Sequence, residues 1–411
     1  MKSGRISGQD GIALVASLLL LTVLLAIASI ALMMTSTDMK ITGYFKSYNK
    51  AFYVAEAGVE EAKARMRAGA AYQIIDSLPT QVSWAAYIGS TAKSQAKGYD
   101  SSNALHIRTD SMQPEMDYVV TVVHQTDSGG NILYWGDANH DGVNERSSTS
   151  GPAMRNIYFV TSEAITAGSK RIIEAEIAAM PPVNMPAALY VNATTTVKGS
   201  STHIIGTDAC GGADLAGIGS SRPEGSIVFN GSPTIAGAPG ITYNATVMNV
   251  ANLINTYKSS ANFTYAVSNA THTASTTPGP GQGWGTPTAG ANSQSPSSCS
   301  VHNIVYYNTG GTEIQLSGGV SGCGMLLVEG NLKLTGDFSW YGQIMTTGSM
   351  TFLGGGDKNI TGAVLSGSSA TNAEDDVIGG NTNIVYCSSA IKNQTDSMAM
   401  QTLSWKDKTT P

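Results

Sequence analysis

Charge is scarce in this 411-residue chain: Asp, Glu, Lys and Arg together make up 13% of it, and the formal net charge is -6 at pH 7. No Lys/Arg-rich block occurs, so the electrostatic footprint that holds phosphate backbones is missing and no nucleic-acid partner is expected. Cysteine is sparse too. The four present, Cys210, Cys299, Cys323 and Cys387, show no CxxC spacing, which argues against redox and zinc-ribbon sites. The histidines, His106, His124, His140, His203, His272 and His302, are scattered without an HExxH pair, and neither a GxSxG elbow nor a Walker loop is found. In the distal half the adjacent Asp375 and Asp376 read as a solvated loop. Catalysis is therefore not expected. A membrane-tethered β-helix carbohydrate-active enzyme stays as the enzymatic alternative.

What the chain has in quantity is glycine, 46 residues, with long Ser/Thr/Asn stretches between short apolar runs. That composition points to a turn-rich, mostly β body, and the length exceeds the ~100–200 residues of a usual single domain. All four cysteines lie beyond the N-terminal apolar segment, where an oxidising compartment permits disulfides; three connectivities are open.

From Gly11 to Thr37 there is no charged residue, and Ile12 to Met34 is almost wholly Ala, Leu, Ile, Val and Met. As a helix this stretch crosses the ~30 Å hydrocarbon core of a bilayer. Lys2 and Arg5 precede it, favouring a single pass with a cytoplasmic N-terminus. Ala26-Ile27-Ala28 resembles a secretory cleavage site, but the apolar pattern does not stop there. Ile41, Phe45, Tyr48, Phe52, Val59 and Met66 recur at spacings of three, four or seven, which predicts one apolar helical face continuing to about Gly69.

These residues resemble a known family. A basic leader ending Gln9-Asp10-Gly11, followed by Ile12-Ala13-Leu14-Val15, is similar to the class III signal read by prepilin peptidase. Ala51-Phe52-Tyr53-Val54-Ala55-Glu56-Ala57-Gly58 is similar to the Ala-Phe-x-x-Ala-Glu-Ala-Gly signature of PilX-type minor pilins (type IV pilus assembly proteins). The resemblance implies cleavage after Gly11, an N-methylated Ile12, and a helix in which Phe52, Glu56 and Gly58 belong to the signature. It also implies prepilin peptidase and other major and minor pilins as partners, with the inner membrane before assembly and the pilus or cell surface after it. Major pilins carry glutamate at the fifth mature position, where this chain has Ala16. The pair that glutamate makes with a neighbour's ammonium is thus unavailable, which suits a minor subunit that primes or caps assembly. A type II secretion pseudopilin shares the same logic and stays open.

The loop Asp137-Ala138-Asn139-His140-Asp141-Gly142 matches the start of an EF-hand loop, in which alternate oxygens wrap a cation. Asp137, Asn139, Asp141, the Val143 carbonyl and Glu145 are the candidate Ca2+ ligands. The twelfth position is Ser148, not the usual glutamate, and a plain Asx/Gly turn is the alternative.

Tyr118 to His124, Ile157 to Val160 and Arg171 to Ile177 read as strands, the last two joined by a turn at 167–169. Pro181, Pro182 and Pro186 mark a stiff linker. Beyond it, Gly330, Gly348 and Gly367 fall 18 and 19 residues apart, and Leu332/Leu334 align with Met350/Phe352. That repeat predicts rungs of a β-solenoid or parallel β-helix with those side chains inward; a β-sandwich is the alternative. Pro278 to Gly285 reads as an exposed loop within an insertion at 271–300. The expected fold class is α+β, mostly β: leader 1–11, membrane and filament helix 12–70, small pilin-like α+β head 71–180, distal β-rich domain 181–390, and C-terminal tail 391–411. A surface or polysaccharide ligand for the distal domain, and so a role in adhesion, is the corresponding expectation.

Overall fold

In the computed structural model the described residues are 10–70, 72–89, 104–107, 117–166, 169–268, 270–273, 284–287, 299–368, 376–396 and 398–408. Residues 1–9, which fall within the expected leader, His106 as a side chain and Asp375 lie outside what is described.

One helix, α1 (Asp10–Met66), opens the chain. Its Ala/Leu-rich sequence contains no proline, so nothing interrupts 57 residues of hydrogen bonding, a rod of about 86 Å. Helical geometry stops at Met66, short of the expected Gly69, whose φ of +73° lies in the left-handed region. Residues 12–46 stand exposed along their whole length. Only the last turns pack, and they do so through small side chains: Ala51, Ala55 and Ala62 are fully buried and Val59 nearly so. This corrects the expected apolar face, because Phe45 is 64% exposed and Tyr48 45%. Large aromatics would hold the helix off a sheet, and alanine and glycine allow the close approach.

The head sheet faces that stripe. Its strands are β1 (Ala85–Gly89), β2 (Ala104–Ile107), β3 (Asp117–His124), β4 (Tyr134–Gly136), β5 (Glu145–Ser147), β6 (Arg155–Thr166) and β7 (Ser169–Ala178). The order is β2-β1-β3-β6-β7, antiparallel except for the β1–β2 pair, with the β4–β5 hairpin set on the start of β6. Alternate residues of β3, β6 and β7, including Val120, Val122, Val160, Ala164, Ile173 and Ala175, close over the helix.

Residues 179–186 then lead into a 16-stranded parallel sheet that curls into successive coils. The first coils are β8 (Ala187–Val191), β9 (Thr195–Lys198), β10 (His203–Ile205), then β11 (Ala216–Ser220), β12 (Ile227–Asn230), β13 (Thr234–Ala236) and β14 (Ile241–Thr242). Helix α2 (Val250–Lys258) carries the chain along the outside to the far end. There β15 (Phe263–Ala266) and β16 (Ala270–Thr273) begin the return. A short antiparallel pair, β17 (Thr286–Pro287) and β18 (Cys299–Val301), intervenes. The remaining coils are β19 (Asn303–Ser317), β20 (Val320–Thr335), β21 (Phe338–Thr346), β22 (Met350–Phe352), β23 (Lys358–Ser366), β24 (Asp376–Ile378) and β25 (Thr382–Tyr386). Registers pair Leu332 with Met350 and Leu334 with Phe352, all four buried, as the repeat predicts. Every pairing within this sheet is parallel, which hairpins of a sandwich would not give. At one corner Gly324, Gly342 and Gly362 stack in register with φ of +116°, +130° and +144°. A Cβ on Gly362 would fall 1.9 Å from the Gly342 carbonyl oxygen, so only glycine permits this stacking.

The last coil closes on the first. β23 pairs with β8, β24 with β9 and β25 with β10. From that seam helix α3 (Ser388–Asp396) and strand β26 (Gln401–Asp407) return to the head, where β26 lies antiparallel to β7, Gln401 opposite Ala178. Residues 391–411, expected as a tail, thus contain an edge strand of the head sheet, and the coiled sheet is an insertion into the β7–β26 hairpin. Trp284 also departs from expectation. It is fully buried, edge-on to Trp340 at 5.8 Å, and not in an exposed loop. Asp376 sits inside the coil, its Oδ1 accepting the Met350 amide at 2.7 Å and the Ser366 hydroxyl at 3.0 Å, where a solvated loop was expected.

Candidate functional site

The exposed first half of α1 is built for an apolar surrounding. Its hydroxyls turn back on the helix: Ser17 donates to the Leu14 carbonyl, Thr22 to Leu19, Ser29 to Leu25, Thr35 to Ala31 and Thr37 to Met33, each at 2.8–2.9 Å. Each of these polar hydrogens is satisfied without water, as lipid or a packed fibre requires. By length and hydropathy the segment can cross a membrane. Gly11 and Ile12 lie in its first turns, and Ile12 is 71% exposed. Ala16 is exposed on the same rod and offers no charge.

The signature residues occupy the seat on the head. Gly58 is the point of closest approach: a Cβ there would lie 2.3 Å from Ser162 Oγ and 2.9 Å from Tyr118 Cδ2. Phe52 is half-buried and meets Trp405 of β26 edge-on at 5.8 Å, while Glu56 is half-buried one turn above. One turn further, Glu61 accepts from Arg65 Nε at 2.8 Å and from the Tyr118 hydroxyl. Arg171 lies 3.2 Å over the Tyr48 ring and pairs with Asp407 at 2.6 Å. The C-terminal strand therefore helps to clamp the helix, a role its sequence gave no means of finding because its partner β7 lies more than 220 residues earlier.

The Asp137 loop has the turn geometry of an oxygen-ligand loop. Asp137 is 1% exposed, and its carboxylate accepts the amides of Asp141 at 3.1 Å and Gly142 at 2.9 Å. His140 and Gly142 adopt φ of +61° and +81°. Burial raises the Asp137 carboxyl above its ordinary range and the nearby Asp141 charge adds to this, against the lowering amide bonds; a cation would reverse that direction. Asn139 Nδ2 donates to Asp141 Oδ2 at 3.2 Å, and the Val143 amide donates to Asp141 Oδ1. Glu145 is apart on β5, paired with Gly136. Among the described residues, Asp137, Asp141 and Glu145 do not gather three carboxylate oxygens within 4.8 Å. The loop is also a junction: Asn184 donates to the Asp137 carbonyl at 2.8 Å, Asn252 to the Gly142 carbonyl at 2.7 Å, and the Asn249 amide to the Asp141 carbonyl.

The four cysteines resolve into Cys210–Cys387 and Cys299–Cys323. Asp208 lies beside the first of these, but both sulfurs are bonded to each other, leaving no thiolate for a metal.

Compared with known proteins, residues 10–60 match the family described as PilX N-terminal. No curated protein matches the chain. Among solved structures, the competence-associated pilin ComZ from Thermus thermophilus is similar at 12% identity, covering 88% of this chain and 97% of its own, with a TM-score of 0.24. So weak a superposition carries no further conclusion. The exposed apolar rod, its small-residue seat and the matched sequence coincide on the same residues, and the N-terminal helix of this chain is thus similar, over residues 10–60, to the PilX N-terminal family.

Proposed function

We propose that this chain is a minor pilin of a type IV pilus. The exposed stretch 12–46, apolar through its first half, is the observation that carries the reading, since a membrane anchor alone needs only about 20 residues. Before assembly the helix crosses the inner membrane once, N-terminus cytoplasmic. Prepilin peptidase cuts after Gly11, Ile12 becomes the methylated first residue, and the rod moves into the fibre beside other pilins. With Ala16 in place of a carboxylate, the subunit needs no counter-charge from an earlier one, which suits priming or capping. The coiled sheet is displayed for adhesion, with no catalytic part; its buried Asp376 is engaged in holding Met350 and Ser366.

The Asp137 loop takes Ca2+ through Asp137, Asn139, Asp141 and the Val143 carbonyl, with Glu145 moving in or acting through water. The turn that brings Asp137, Asn139 and Asp141 to one loop, with a buried Asp137 raised first by burial and then by the Asp141 charge, supports that reading over a bare Asx turn.

N-terminal sequencing and intact mass of protein recovered from pilus-competent cells test the main proposal. A start at methylated Ile12 is expected. A start at Ser29 would indicate ordinary secretion, and an intact Met1 a static anchor; either result ends the pilin reading.

A further inference from the structure

Among the described residues, the core columns of the coiled sheet stop without a lid at one end. Inward residues of successive coils stack in register, and one column runs Leu316, Leu334, Phe352, Ile378, Val197 and then Phe229. The first five are fully buried, whereas Phe229 is 43% exposed. A second column, Trp340, Ile360, Ile384 and Ile204, ends at half-buried Ile235. The third, Ile344, Val364, Leu189 and Ile218, ends at half-buried Ile241. Among the described residues β12, β13 and β14 each pair on one side only, with β9, β10 and β11. From Ser226 to Tyr257 the chain has no Asp, Glu, Lys, Arg or His. Sheet edges in soluble proteins are ordinarily guarded by charge, a bulge or a cover, and this one lacks the charge on all three faces.

We propose that this end is a self-docking face, closed by the same end of a second copy of the chain. A lone extended peptide would lengthen one face and leave two edges and two apolar columns open. Only another coil of the same three-sided section offers three edges and three column ends at once, and the identical end has that section. With no charge on either side, two copies meet without like-charge repulsion. A two-fold axis through the β12 face sets Phe229 against its counterpart, and Ile235 against the Ile241 of the other copy, with the mating strands antiparallel.

The test is light scattering of the full-length chain in detergent micelles over a concentration series. A dimer is expected, and Phe229→Lys should weaken it at least about tenfold, because burying an unpaired ammonium group at the contact is costly. Phe229 is 43% exposed, and an unchanged circular dichroism spectrum and melting curve verify that the variant folds. As an independent readout, a photo-crosslinking residue at position 229 of the otherwise unchanged chain should give a dimer-mass adduct joined within residues 226–243. A monomer at every concentration, or a dimer that survives the lysine and crosslinks elsewhere, overturns the proposal; the latter would place the contact on α1.

Discussion

Cys210 and Cys387, 177 residues apart, are bonded across the seam between the first coil and the last, beside the in-register pair β10–β25. The coiled sheet begins and ends in its own middle, and this bond fastens the two ends together. Arg155 of β6 reaches Asp396 of α3 at 2.7 Å just beyond, tying the same seam to the head.

Replacing Cys210 and Cys387 by serine should lower stability by about 2–5 kcal/mol, from the closure entropy of so long a loop. The 24-residue Cys299–Cys323 loop should matter less, by about 2 kcal/mol in the same chain-entropy account. Thermal melts of the two double variants, read beside the unaltered chain, check the order. An equal or reversed order would mean that the seam is held by its strands alone.

Gly58→Ala should cost about 1–3 kcal/mol by pushing α1 off the sheet, and Gly58→Leu more. Proteolysis at residues 50–66 is the direct readout, since protection there depends on the seat. If Gly58→Leu kept that protection, close approach would not be what the glycine provides.

Acid should loosen the head at one point first. Buried His124 places Nδ1 2.8 Å from the Gln81 carbonyl oxygen and Nε2 2.8 Å from Asp76, and Tyr158 donates to the same carboxylate at 2.9 Å. Burial raises the Asp76 carboxyl, but hydrogen bonds from His124, the Leu78 amide and Tyr158 outweigh it and hold the group below its ordinary value of 3.8. A depressed folded pKa stabilises in full above the unfolded value and is lost as pH falls through the folded one. The contribution should therefore persist at pH 5 and vanish below 3.8. Stability of the full chain measured against pH, with and without Asp76→Asn, should show the difference shrinking only in that acid range.

If the Asp137 loop takes calcium, saturating Ca2+ should raise stability by about 2.7 kcal/mol at a hundredfold excess over Kd, and Asp137→Asn should abolish the gain. Because the loop holds Asn184, Asn249 and Asn252, protection of residues 182–186 from hydrogen exchange should rise with it. Melting curves indifferent to millimolar Ca2+ and to chelator would leave an Asx turn.

Local signals carried much of this architecture. Charge-free Ile12 to Met34 marks the rod, and the glycine repeat at 330 and 348 marks the stacked coils, because both patterns fit within a few tens of residues. Long-range closure was illegible. Nothing in Gln401–Asp407 names β7 as its neighbour, and nothing in Ala187–Val191 says that its coil will lie against Val364 to Ser366. The packed stripe of α1 was misread for a different reason: hydrophobic periodicity favours large residues, whereas the contact selects small ones. Trp284, amid prolines and glycines, gave no hint that it would fill the space beside Trp340.

The coil leaves the head at Ala178 and re-enters opposite it at Gln401. Whole turns can therefore be added to or removed from the stack while the sheet that grips the rod keeps its geometry. The length of the stack and the grip on the helix are separately adjustable in such a chain, and evolution can extend the one without renegotiating the other.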